Sequence, residues 1–125
     1  YLVRFTHLLH RLNFYAEVSK SIRELIDTQR LRRMDVETER YVAEQGRDSG
    51  LSIDGTARVL DALEQGKVET LLLTDPDDKE VTSGKLIGPA DRVLPYIAIG
   101  TGTELVQIDE RLVLADGYGA ILRHP

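Results

Sequence analysis

Apolar residues recur at helical spacing at the start of the chain: Leu2, Phe5, Leu8, Leu9, Leu12, Tyr15 and Ala16. With no Gly or Pro among them, this spacing predicts an amphipathic helix over residues 1–18. From Ser19 to about Gln45 Gly and Pro stay absent, and Ile22, Leu25, Ile26, Gln29, Met34, Val36, Tyr41 and Val42 form an interrupted stripe, which predicts a long second helix. Gly46-Arg-Asp-Ser-Gly50 is a turn cluster, after which Leu51-Ser-Ile-Asp54 leads into the next helix. In that helix Ala57, Leu60 and Leu63 share a face with Val59 and Ala62, Asp54 is placed to cap its start, and Gly66 stands where a left-handed residue would end it. The run Val68-Glu-Thr-Leu-Leu-Leu-Thr74 does not alternate, so it predicts a central parallel strand covered on both faces.

The second half is more broken. Asp75-Pro-Asp-Asp-Lys-Glu-Val-Thr-Ser-Gly84 reads as a polar loop, and residues 90–100 as a short helix that starts close to Asp91 and so keeps Pro95 near its first turn. Glu104-Leu-Val-Gln-Ile-Asp109 predicts a strand, Leu112-Val-Leu114 is ambiguous, and Asp116-Gly-Tyr-Gly119 is a turn before a closing strand, Ala120–Arg123. Helices alternating with strands make the class α/β.

Composition narrows the chemistry. A chain of 125 residues is the size of one ordinary domain, and without Cys it has neither disulfides nor thiolate metal sites, which fits a reducing cytoplasm. No apolar run reaches the length of a bilayer span, so no membrane role is expected. The first residue is Tyr1 and not Met, so the chain is expected to be either processed or, the favoured alternative, a fragment with an upstream part preceding it. Residues 1–50 hold nine Arg/Lys against eight Asp/Glu, whereas residues 51–125 hold seven against thirteen. Such an acidic half repels phosphate backbones, so DNA is not an expected partner, and an RNA contact would need a face that gathers the positive charge. Arg30, Arg32 and Arg33, with Arg40 and Lys67, are the candidates for such a face or for a protein interface.

A family resemblance rests on Gly55-Thr-Ala-Arg-Val-Leu-Asp-Ala-Leu-Glu-Gln-Gly-Lys-Val-Glu-Thr-Leu-Leu-Leu73, which resembles the C-terminal domain of the archaeal and eukaryotic-type peptide chain release factor subunit 1. There a Gly, a helix ending Ala-Leu-x-x-Gly and Val-(Glu or Asp)-x-Leu-Leu follow without a gap. Gly100-Thr-Gly-Thr-Glu-Leu-Val106 and Asp116-Gly-Tyr-Gly-Ala-Ile-Leu-Arg123 are similar to the bacterial branch, whose members look like ribosome rescue or hibernation factors. The resemblance covers about residues 36–123. It implies an α/β/α three-layer sandwich with a mixed sheet of about four strands over 36–125, a helical lead-in or linker over 1–35, and Gly55, Gly66, Gly117 and Gly119 as structural positions beside Asp54.

It also implies a non-catalytic interaction domain whose partners are the ribosome and a translational GTPase. The Gly-Gly-Gln tripeptide that releases peptide and the Asn-Ile-Lys-Ser codon-reading motif are absent from the sequence, so no peptidyl-tRNA hydrolysis is expected of this chain. The sandwich is similar to kink-turn RNA-binding ribosomal proteins, but Gly55-Thr56-Ala57-Arg58 replaces their Gly-x-Asn-Glu, and the hydrogen bonds to base edges are lost with the Asn-Glu pair. RNA recognition of that type is the second reading, and a dimer formed through the stripe on residues 1–18 is the third.

Other chemistry is weaker. His7 and His10 are spaced i, i+3 with no third ligand nearby, and Asp75, Asp77 and Asp78 lack the EF-hand glycine and distal Glu. Gly100-Thr-Gly102 and Gly117-Tyr-Gly119 fall short of a dinucleotide fingerprint. No serine stands in a nucleophile motif. No catalytic residue, metal site or cofactor is therefore expected.

Overall fold

The computed structural model describes residues 2–125, with side chains from Thr6 onward, so Leu2 and Phe5 of the first stripe lie outside the described side chains. The one or two helices expected before residue 46 are one: α1 runs unbroken over Leu2–Arg47. Nothing between them breaks the backbone pattern, because Ser19 interrupts the apolar stripe without costing a helical hydrogen bond. The chain divides into two compact units, Tyr1–Arg33 and Met34–Pro125. In the first, Leu8, Leu12, Phe14, Tyr15, Ile22 and Leu25 are all exposed.

The second unit contains the end of α1, then β1 (Ser52–Asp54), α2 (Thr56–Glu64), β2 (Val68–Leu73), β3 (Glu80–Ser83), β4 (Leu86–Pro89), α3 (Ala90–Gly100), β5 (Glu104–Gln107), a 3-10 turn at Ala115–Gly117 and β6 (Tyr118–Leu122). Four strands form a sheet in the order β1-β6-β2-β5, and β3 and β4 form a separate hairpin. β2 runs parallel to β5 but antiparallel to β6, so the expected parallel strand sits in a mixed sheet. Its unbroken apolar run reflects cover on both faces. Leu71 joins Val59, Leu63, Leu94 and Tyr118 on the α2/α3 side, while Leu72 joins Tyr41, Val106, Ile108 and Ile121 on the α1 side. Successive strand residues point to opposite faces, so two neighbouring leucines feed two cores, and the unit is a three-layer α/β/α sandwich.

Three expectations need correcting. First, Asp54 does not cap α2: the N-cap is Gly55, at φ 96°, with no side-chain cap bond. Asp54 ends β1, and its carboxylate accepts from Ala115 N–H at 2.9 Å instead. Second, the loop over 75–84 contains β3, which pairs with β4 through the two-residue turn Gly84-Lys85. Gly84, at φ 59°, takes the first turn position, as in a type II′ hairpin. Third, Pro95 is the sixth residue of α3, beyond the first turn, and deprives the Asp91 carbonyl of its helical donor. The burial of Ala90, Val93, Leu94 and Ala98 offsets that loss.

The end of α2 is as expected. Gly66 adopts φ 69°, its N–H donates to Leu63 O and that of Lys67 to Ala62 O, both at 3.1 Å, which is the Schellman arrangement. The ambiguous Leu112-Val-Leu114 is neither helix nor strand: Leu112 and Leu114 close the α1-side core, whereas Val113 is 91% exposed.

Candidate functional site

The arginines singled out from sequence fall in both units. Arg30, Arg32 and Arg33 lie exposed on α1 in the first, and Arg40 and Lys67 belong to the second. Arg40 is engaged already. Its guanidinium donates a short hydrogen bond to the Glu69 carboxylate on β2 and lies 3.9 Å from Glu37. The bond to Glu69 raises the Arg40 pKa and holds the Glu69 carboxyl below its ordinary range. A guanidinium bound to two carboxylates is poorly placed to contact phosphate. Beside it Glu37 is buried, with Oε2 lacking a hydrogen-bond partner. Another arginine, Arg111, ties Asp35 of α1 to Asp109 in the loop after β5.

Gly55, Gly117, Gly119 and Asp54 converge at the end of the sheet where β2 stops and β6 begins, whereas Gly66 lies at the opposite end, before β2 starts. Asp54 and Asp116 make reciprocal links there. As the first accepts from Ala115, Asp116 Oδ2 accepts from Thr56 N–H at 3.1 Å and supplies the α2 N-terminus with a carboxylate from sixty positions away. The helix cap was therefore missed in the sequence, since a side chain so distant carries no local capping signal. Gly117 has no room for a side chain, because a Cβ would stand 2.0 Å from the Asp75 carbonyl oxygen. Gly119 faces Leu114 in the same way, with a Cβ position 2.8 Å from its side chain. Thr74 N–H donates to Gly117 O, Asp77 N–H to Asp116 O, and the Tyr118 hydroxyl to Asp77 O at 2.6 Å. Burial, and then the nearby Asp91 and Asp77, push the Tyr118 pKa up.

Open depressions of about 400 and 370 Å³ lie on either side of this junction, and both include Asp77 and Asp116. The Asp75–Asp78 loop is turn chemistry: Asp77 Oδ1 accepts from Lys79 N–H at 3.1 Å and Oδ2 faces Lys79 Nζ at 3.7 Å. Among the described residues no group of three or more His, Cys, Asp or Glu is arranged to hold a metal ion. His7 and His10 are exposed on α1. The glycines of 100–102 and 117–119 lie at the end of α3 and at the start of β6, in neither case between a strand and a following helix.

A surface that sequence reasoning missed lies between the β3–β4 hairpin and α3. Leu86, Ile87, Pro89, Arg92, Val93 and Tyr96 line a groove of about 250 Å³. Ile87 and Tyr96 are each 67% exposed at its rim, and Ile99 on the same helix is 70% exposed. Rigid apolar side chains left open to water are what a protein interface uses. A signal was present: Val81-Thr-Ser-Gly84-Lys-Leu-Ile87 places a glycine between β-branched and apolar residues, a hairpin pattern.

The fold defines a class. It is similar to the C-terminal domain of a peptide chain release factor from Methanosarcina mazei, with a TM-score of 0.71 at 17% identity, over 86% of this chain and 92% of that one. It is also similar to part of Saccharomyces cerevisiae Dom34, described as a translation termination-like factor interacting with Hbs1, with a TM-score of 0.56 at 21% identity over 75% of this chain and 28% of that one. The archaeal termination factor aRF1 gives 0.54 at 22% identity over 74% of this chain and 26% of that one. The fold is thus that of the release-factor C-terminal domain, as the motif over residues 55–73 implied.

By sequence the chain is 34% identical over 106 residues to Rv2629 of Mycobacterium tuberculosis strain H37Rv and to MT2704 of strain CDC 1551, both described as uncharacterized. The match takes in 69% of this chain and 28% of each relative's length. No protein-family model matches the chain.

Proposed function

We propose that this chain is a non-catalytic interaction domain of a release-factor-like, ribosome-associated protein of the cytoplasm, one that docks a translational GTPase or a ribosomal component. The observation that carries the reading is the fold likeness to a release-factor C-terminal domain, extending over nearly the whole of both chains. The Dom34 likeness supports it, since that protein is described as interacting with Hbs1. The inference passes from fold to function by analogy.

The surface agrees with docking. The exposed apolar groups Ile87, Tyr96 and Ile99 of the second unit cluster on the hairpin and α3, whereas the carboxylates at the sheet end are occupied with backbone donors. The kink-turn RNA reading is disfavoured by Thr56-Ala57-Arg58 at the start of α2 and by the engagement of Arg40 with Glu69. The 1–35 lead-in and the 36–125 sandwich are proposed as the working division, with the lead-in carrying its own contacts.

Co-sedimentation of this chain, and of the full-length protein, with bacterial ribosomes tests the reading, with and without an elongation-type GTPase across a salt series. Retention that depends on the GTPase and falls little with salt is the expected result. A steep salt slope without GTPase dependence would replace docking with RNA binding. Absence of retention for both proteins would refute the ribosomal role.

A further inference from the structure

We infer that residues 8–32 of α1 form a docking seam for a helix of another protein whose own apolar seam is flanked by carboxylates. Within the first unit Leu8, Leu12, Tyr15, Ile22 and Ile26 follow alternating steps of four and three, with Ser19 between, which is the a/d pattern of a heptad repeat. All five are exposed, from 48% at Ile26 to 58% at Tyr15. Val18 and Leu25 widen the seam on one side, where with Phe14 and Ile22 they line a groove of about 360 Å³. Contiguous apolar surface of this extent is a contact waiting for its partner.

Charge selects the partner. In this register the positions flanking the seam are 9, 16, 23 and 30 on one side and 11, 18, 25 and 32 on the other. Every charged residue among them is an arginine: Arg11, Arg23, Arg30 and Arg32. Glu24 and Asp27 fall on the opposite face, and the acid near the seam, Glu17, lies at the far wall of the Phe14–Leu25 groove and outside the flanking positions. Flanking charges set partner choice in helix pairs, and two copies of this helix have no carboxylate to place against an arginine in either orientation. A second copy is thus disfavoured, and a helix with Asp or Glu in the flanking positions fits. Ser19 and Gln29 sit within the seam, where a facing helix can hydrogen-bond them and acyl chains cannot. That favours a helix over an anionic membrane, which a basic amphipathic helix otherwise suits.

The inference does not rest on the ribosomal reading, and its test uses no ribosome. Two labelled four-heptad peptides with leucine at the seam positions, one with Glu and one with Lys in all flanking positions, are titrated with the chain and followed by anisotropy. The Glu peptide is expected to bind at least tenfold more tightly, with the preference shrinking in 1 M salt as charges are screened. Leu12→Asp and Ile22→Asp should each weaken binding at least tenfold. Both residues lie outside the second unit's cores, so thermal unfolding of that unit should not change. Combined Arg23→Glu, Arg30→Glu and Arg32→Glu should move the preference to the Lys peptide. Equal binding of both peptides, binding of neither, self-association by sedimentation equilibrium at 0.1 M salt, or retention on phosphatidylserine vesicles in place of peptide binding would overturn it.

Discussion

Gly117 shows how one residue's lack of a side chain lets the turn before β6 pack against the loop after β2. Its φ is 78°, and the Asp75 carbonyl occupies the space that a Cβ would need. Gly117→Ala should therefore lower unfolding stability by about 2 kcal/mol or more, through backbone strain and the broken contact between the β2 end and β6. Urea unfolding followed by circular dichroism measures this, and an unchanged midpoint would show that the junction yields without cost. The sequence marked Gly117 as a turn glycine. It could not show the Asp75 carbonyl, which approaches from more than forty positions away.

Tyr41 is the second residue-scale case. It is buried on the α1 side with its hydroxyl donating to Ile53 O at 3.2 Å, and burial first, then Asp54, pushes its pKa up to about 12. Because the folded value lies above the ordinary tyrosine value of about 10, the neutral phenol is favoured in the folded state. That contribution is complete below about pH 10 and is lost as pH rises through about 12. Phenolate absorbance against pH should show Tyr41 ionising above the ordinary tyrosine value of about 10, and Tyr41→Phe should flatten the alkaline loss of stability. Ionisation of Tyr41 at that ordinary value would contradict the burial argument.

At the scale of elements, periodicity and punctuation explain what was legible. α2 and β2 were readable because an amphipathic stripe, a terminating glycine and an unbroken apolar run each carry a local signal. β1 was not, being three residues long and recognisable only through its pairing with Gly119–Ile121. The hairpin carried a glycine turn signal between Val81 and Ile87, but its strands are four residues each and form a separate two-stranded sheet that buries little, so the polar start of the segment read as a loop.

Pro95 shows a local rule overridden by packing. Restoring the missing donor with Pro95→Ala should raise stability by about 1 kcal/mol, the gain being reduced by greater freedom of the unfolded chain. A thermal melt compares the two proteins, and a lower midpoint would mean that the ring itself packs on the core.

For the molecule as a whole, the prediction concerns the groove between α3 and the hairpin. Ile87→Asp should leave the fold intact, because Ile87 is 67% exposed and outside both cores. The same variant should reduce GTPase-dependent retention on ribosomes at least tenfold, as loss of an apolar anchor does at an interface hot spot. Unfolding curves and co-sedimentation of the same variant separate the two effects. Undiminished retention would move the docking contact to another face.

By itself the sequence determined the α/β class, the α2–Gly66–β2 centre and the likeness to the release-factor C-terminal domain, because each rests on neighbours within one element or one turn. The tertiary structure alone decided that β2 lies between an antiparallel and a parallel neighbour, that Asp116 and not Asp54 serves the α2 N-terminus, and that Arg40 is held by Glu69. It also decided which apolar side chains remain uncovered. These depend on contacts between residues far apart in the chain, and hydrophobic period, helix caps and turn glycines report only what the chain does to its near neighbours.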